Sequence, residues 1–306
     1  MEAGEVGGHP APSAADVPGS EGTDVDIREG QVRLAIGVFL ENRLAAAAIG
    51  FIVFMVLFCF VGPFVYHTNQ VATNLGRSNL PPSWSDPLGT EEVGYSVLGR
   101  LMAGGQTSLV IGLGVALLAT AVGTLWGSVA GYLGGRWDAV MMRIVDIMLT
   151  IPGLFILLLL DAMFSPSAFV LVFIIAFTSW FGVSRLVRSE VLSIKQRDYV
   201  EAARAFGASS WHIMTRELLP NVMGTVMVAS TFQVAGAIIT IATLSFLGLG
   251  LPPPTPNWGE LLNASMSYMY QDAWWMIYPP GICLLITMLS FNFISEALQG
   301  VLDSRR

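Results

Sequence analysis

The sequence predicts an all-α membrane protein of six transmembrane helices, with one polar loop between the fourth and fifth. Three observations carry this. Hydrophobic residues make up 54% of the 306-residue chain and charged ones only 12%, about half the 25% usual in soluble domains. The apolar residues gather into runs of about 20 residues or more, the length that crosses a ~30 Å hydrocarbon core. All but Arg77 and Arg100 of the 15 Lys and Arg fall in segments that those runs place on one side. That asymmetry is the positive-inside signal, so both termini and the polar loop are expected in the cytoplasm.

Taken in order, residues 1–30 carry seven acids against Arg28 alone, which supplies −6 of the net charge of −7. Rich in Gly, Pro, Ser and Ala, this stretch predicts a disordered acidic tail, and it lacks the basic start and apolar core of a signal peptide. Residues 31–43 are mixed in character and suit a segment lying along the inner membrane surface. The first span covers residues 44–65 and carries no charge. A polar extracytoplasmic loop, 66–100, follows, with turn signals at Pro81-Pro82 and Pro87-Leu88-Gly89. The remaining block, 101–306, holds five spans and the polar loop 190–220. These spans lie within Leu101–Leu133, at about Ala139–Ala162 and Ser167–Val187, and within Asn221–Gly250 and Trp275–Ile294. The outer segment Gly248–Trp274 contains Pro252-Pro253-Pro254, which cannot be helical. Trp258, Trp274 and Trp275 suit an interfacial belt there, as either an anchored turn or part of an outer gate.

Within the spans, Gly123, Gly127 and Gly131 recur every fourth residue, with Ala119 one step earlier. This predicts a smooth strip for close helix packing, against a partner the sequence does not identify. Two acids interrupt the third span. Asp146, one turn after Arg143, reads as a local ion pair, and Asp161, near the outer end, as a group that reaches water or lines a translocation path.

Catalytic signals are absent. The single lysine, Lys195, follows Ile194, so the Gly-Lys-Ser/Thr phosphate loop is missing, as are the zinc-protease and serine-hydrolase motifs. His9, His67 and His212 are too scattered to form a metal cluster, Cys59 and Cys283 both lie in apolar runs, and nothing points to a cofactor or to nucleic acid. An enzyme is not expected.

The polar loop centres on EAARAFGASSWHIMTRELLP, Glu201 to Pro220. Ala, Glu and Arg favour a first short helix ending near Phe206, and Gly207 suits a left-handed cap. Ser209 or Ser210 can cap a second helix through Trp211–Leu218, which Pro220 is expected to end. Ala202 and Ala203 leave the first helix open to a close-packed partner; an ordinary cytoplasmic loop is the plain alternative.

This stretch resembles the signature of permease subunits of ABC-type importers, with its fixed positions at Glu201, Ala202, Ala203, Gly207, Leu219 and Pro220. The resemblance implies a type I importer permease fold whose coupling helix docks on a separate cytoplasmic ATPase. FLENRLAAAAIGFIVFMVL, DPLGTEEVGYSVLGRLMAGGQTSLVIGLG, AGYLGGRWDAVMMRIVDIMLTIPG and SFLGLGLPPPTPNWGELL extend the likeness. They are similar to the second permease subunit of dipeptide, oligopeptide and nickel importers. Three outer positions depart from that family. Asp86 stands where it usually has His, Gly94-Tyr95-Ser96 where it has Gly-Arg-Asp, and Gln106 where it has Arg. The resemblance implies a second homologous permease, cytoplasmic ABC ATPase subunits, an extracytoplasmic solute-binding protein and membrane lipid as partners. Short peptides are the cargo it favours. Nickel or another small solute stays open, and a secondary transporter is the alternative from a different class.

Overall fold

The computed structural model describes residues 42–68, 73–164 and 167–303; the expectations for residues 1–30, and for most of 31–43, fall outside them. Among the described residues, every long element is helical. They are α1 (Arg43–Phe60), α2 (Val97–Leu133), α3 (Gly135–Thr150), α4 (Gly153–Phe164), α5 (Ala168–Ile194), α6 (Asp198–Ala205), α7 (Leu219–Phe246), α8 (Trp258–Ser265) and α9 (Trp274–Asp303). Five helical stretches are long and apolar enough to cross a membrane, and up to six if the bent pair α3–α4 counts as one span.

The bundle is organised around α2. Its 37 residues run about 55 Å at 1.5 Å each, so its two ends stand at opposite ends of the molecule. Ser96 caps its start by accepting from the Gly99 amide at 3.4 Å. Along the second half of α2, small residues face α5. A Cβ at Gly123 would lie 2.7 Å from Cβ of Val183, and one at Gly131 would lie 2.9 Å from Cγ1 of Val191. At Gly127 it would collide with the Ser184 carbonyl and stand 3.0 Å from the Arg188 amide. Residue numbers rise together on the two helices, so α2 and α5 run parallel with their backbones in near contact. Ala119, fully buried, continues the strip into a cluster with Val115, Leu171, Ile175, Ile241 and Leu244. The opposite face of α2 meets α7 and α1 through Leu109, Ala116, Ile238, Met55 and Cys59. Outward, α1 shows Val53, Phe54 and Leu57, apolar surface suited to lipid at the bundle's edge.

The third expected span is not one helix. α3 and α4 meet at 78°, and the cause is local. Pro152 disfavours a helical residue before it, and Ile151 is extended, at φ −85° and ψ 124°. α3 is pinned to α5 instead of pairing within itself. Arg188 Nη2 donates to Asp138 Oδ2 at 2.6 Å, and Asp146 pairs with Arg185, not with Arg143 as its spacing suggested.

Pro220 also behaves otherwise than expected. It does not end a helix; helical structure runs on from Ser210 to Phe246. A π-helical turn over Ile213–Leu218 widens the spiral, and Pro220 enters at the first turn of α7, where a missing N–H costs nothing. Trp258, expected at the interface, is fully buried. Its Nε1 donates to the Leu101 carbonyl at 3.1 Å, and a Cβ at Gly105 would lie 2.8 Å from its ring. The Gly104-Gly105 pair at the start of α2 thus makes room for α8, while Trp274 remains half exposed.

The glycine strip yields a prediction. Gly127→Leu forces α2 and α5 apart, at a cost of about 1–3 kcal/mol or more. The variant should show reduced membrane abundance and a lowered thermal transition in detergent. Unchanged values for both would mean that α2 and α5 do not need their close contact.

Candidate functional site

At the end of the bundle where α2 finishes, α5 gives way to the polar element. Lys195 follows the last turn of α5, with its ammonium donating to the Tyr132 carbonyl at 2.6 Å and lying 5.5 Å from the centre of that residue's ring. α6 then starts with Asp198 and Glu201 in its first turn and Arg204 in its last, a charge order that suits the helix dipole. It stops at Gly207, which takes φ +80°. There the Gly207 amide bonds the Arg204 carbonyl and the Ala208 amide the Ala203 carbonyl, each at 3.0 Å. This closes the helix through a left-handed residue, as glycine allows. Ser209 then caps the next turn, accepting from the His212 amide at 3.2 Å.

One side of this element is anchored and the other is bare. Val200 is fully buried among Val191, Ile194, Ile213, Leu218 and Val222, so α6 is wedged between the ends of α5 and α7. Glu201, Ala202, Gly207 and Pro220 are exposed, and Ala203 and Leu219 half-buried. The structure therefore brings all six motif positions into one two-helix unit. It adds two residues that motif matching passed over, Phe206 at 92% and Trp211 at 73% exposure. Their signal was present in the sequence as two large aromatics inside a polar island.

Asp161 is placed differently from its sequence reading. It is buried, 3% exposed, and one carboxylate oxygen accepts from the Gly250 amide at 2.8 Å. In this conformation it ties α4 to the turn after α7 and does not reach water. At the far end, Arg100 gathers three segments. Nη1 donates to the Pro254 carbonyl at 2.7 Å, Nη2 lies 3.3 Å from Glu260, and Nε lies 3.4 Å from Glu91. Burial pushes the Glu91 carboxyl up to about 7, outweighing the neighbouring Arg100, and raises Glu260 as well. Of the three departing positions, Asp86 pairs with Arg77, Tyr95 lies against Arg100 at 5.3 Å, and Gln106 donates to the Cys59 carbonyl at 2.7 Å.

The described residues form a helical bundle of membrane-spanning length that projects a small two-helix surface from one end. Comparison with known proteins makes this specific. The family described as "Binding-protein-dependent transport system inner membrane component" matches residues 123–306, and "N-terminal TM domain of oligopeptide transport permease C" matches residues 30–82. The dipeptide transport system permease protein DppC of Bacillus subtilis (strain 168) is 36% identical over 265 residues, 87% of this chain and 83% of that one. A putative peptide permease protein of Brucella suis biovar 1 is 37% identical over 93% of this chain and 94% of its own length. The probable D,D-dipeptide transport system permease protein DdpC of Escherichia coli (strain K12) is 37% identical over 83% and 85%. The chain belongs to the binding-protein-dependent transport system inner membrane component family.

Gly207 offers a clean probe of the element, because nothing lies within 4 Å of a Cβ built there. Only backbone strain is added by Gly207→Val, on the order of 1–3 kcal/mol. Membrane abundance should stay near normal while transport by the assembled system falls at least tenfold; Gly207→Asn, which tolerates positive φ, should retain most of it. Equal transport by the valine variant and the parent would make the turn an indifferent loop.

Proposed function

We propose that this chain is the permease subunit of an ATP-driven importer and forms half of a translocation path for short peptides. The observation that carries the reading is the exposed unit Glu201–Pro220, anchored through Val200 and presenting Ala202, Phe206 and Trp211 outward. Cytoplasmic ATPase subunits would seat on it. A second, homologous permease would complete the path, and an extracytoplasmic solute-binding protein would deliver cargo from the opposite end. Both termini are cytoplasmic in this reading, as the Lys and Arg distribution supports. Peptides are preferred over nickel because the similar proteins are named for dipeptides and peptides.

The geometry supplies a mechanical route. Closure of the ATPases on bound nucleotide would displace α6. Val200 is packed against the ends of both α5 and α7, so that displacement passes into two long helices at once. α5 carries α2 with it through the glycine strip, and α3 through the Arg185–Asp146 and Arg188–Asp138 pairs. The helices would then rock as one body between inward- and outward-open arrangements. Asp161 could line the path only after the turn at Gly250 lets go of it. No covalent step falls to this subunit, and ATP hydrolysis is assigned to the partners.

The test removes the two exposed aromatics together. Phe206→Ala with Trp211→Ala should leave the chain in the membrane but weaken co-purification of ATPase subunits, since buried aromatic anchors contribute roughly 2 kcal/mol or more each. Uptake of a radiolabelled dipeptide should fall in proportion. Retained uptake and undiminished ATPase recovery would overturn the docking assignment.

A further inference from the structure

The end of the bundle opposite the polar element holds a cavity of about 370 Å³, within the roughly 300–1,000 Å³ range of small-molecule sites. It lies between the segment after residue 73, the start of α2, the proline-rich turn, α8 and the start of α9. Its chemistry is lopsided. Glu91, Glu92 and Glu260 line it against a single cation, Arg100. Glu92 is engaged at the rim, where its Oε2 accepts from the Tyr268 hydroxyl at 2.7 Å. Glu91 and Glu260, both half-buried, therefore share one guanidinium, and with both ionised the cavity carries one negative charge without a counter-charge. Such an arrangement favours a ligand that supplies it.

A second, independent feature lies in the same cavity. The Arg100 side chain is only 6% exposed, yet its Nε has no hydrogen-bond partner; the Glu91 oxygen 3.4 Å away is an ion-pair contact only. Buried donors are normally satisfied; this one has under 1 Å² accessible, so it takes a ligand acceptor only as the Glu91 carboxylate turns away from it. Val97, Leu261, Met276 and Pro280 give the cavity an apolar wall, beside Thr73, Ser265 and two tyrosines. An ammonium, an adjacent carbonyl oxygen and an apolar body are the three parts of an aminoacyl group.

We propose that this cavity binds the free amino end of a short peptide, the ammonium between Glu91 and Glu260 and the first carbonyl on Nε of Arg100. The first side chain then packs on Val97, Leu261 and Met276. This assignment rests on the peptide-cargo reading, and places a recognition step at the entry end of the path. Ionised Glu91 is required, and its carboxyl is pushed up to about 7 by burial, with Arg100, Glu260 and Glu92 as the charged groups acting on it. Tyr95 and Tyr268 are the other titratable side chains on the walls. Binding therefore strengthens as pH rises toward 7. It declines again above about 8, where a peptide α-amino group loses its proton.

The full-length chain in lipid nanodiscs is titrated by calorimetry with leucyl-leucine, N-acetyl-leucyl-leucine and 3-methylbutylamine. Leucyl-leucine should bind at pH 7.5 and at least tenfold more weakly at pH 5.5. The acetylated peptide should show no binding, and the amine, lacking the carbonyl, should bind more weakly than the dipeptide. Glu91→Gln should weaken the dipeptide at least tenfold and flatten the pH profile, with the profile of the unaltered protein as the check that does not depend on the variant's folding. Equal binding of the free and acetylated peptides, or a flat profile in the parent, overturns the site. Uptake of the same dipeptide by the assembled transporter is measured in parallel. Uptake without nanodisc binding defeats the site and leaves the transport reading standing; nanodisc binding without uptake of any peptide defeats the cargo reading and keeps the site.

Discussion

Where α2 meets α5, glycine at 123, 127 and 131 removes the α2 side chains that would hold the two backbones apart. Lipid offers no hydrophobic force to bring helices together, so membrane helices associate through close packing and interhelical hydrogen bonds. Close approach of this kind resists gradual sliding, because Val183 and Val191 on α5 pack directly against Gly123 and Gly131. α5 emerges from the strip directly into Lys195 and α6. The rigidity that makes a small surface at one end useful to the rest of the bundle is thus supplied by residues that carry no chemistry.

The spans were legible because they need only length and apolarity, and the polar element because its residues match a family pattern at fixed positions. Its cap at Gly207 could be read from local propensity, and the structure places that residue at φ +80°. What escaped the sequence was set by tertiary contact. The apolar run through 139–162 reads as one span because hydropathy averages over Pro152, while the backbone responds to that single residue by turning 78°. Asp146 had a cation one turn back, and the packing of α3 on α5 offered Arg185 instead. Trp258 looked like a belt residue until Gly104-Gly105 gave its ring a seat inside.

Pro220 shows the same limit from another side. A proline after a polar helix is ordinarily a stop, and here a π-helical turn upstream lets the chain carry on into α7. The consequence is mechanical: with no break at Pro220, the exposed Trp211 and the long helix α7 belong to one continuous run. The end of the bundle opposite the polar element is held by Arg100, whose bonds to Pro254 and Glu260 and contact with Glu91 join the loop before α2, α2 itself, the proline-rich turn and α8. The positions that depart from the family's habit sit around this end, as Asp86 with Arg77 and Tyr95 with Arg100.

The central claim is that the bare face of α6 is where a nucleotide-hydrolysing partner sits. A photo-crosslinking amino acid placed at Ala202, exposed beside Phe206, tests this most directly in membranes containing the whole system. The account predicts a crosslink to the ATPase subunit whose yield changes when a non-hydrolysable ATP analogue is added. A crosslink to lipid alone, or to a polypeptide other than the ATPase with or without nucleotide, would contradict it.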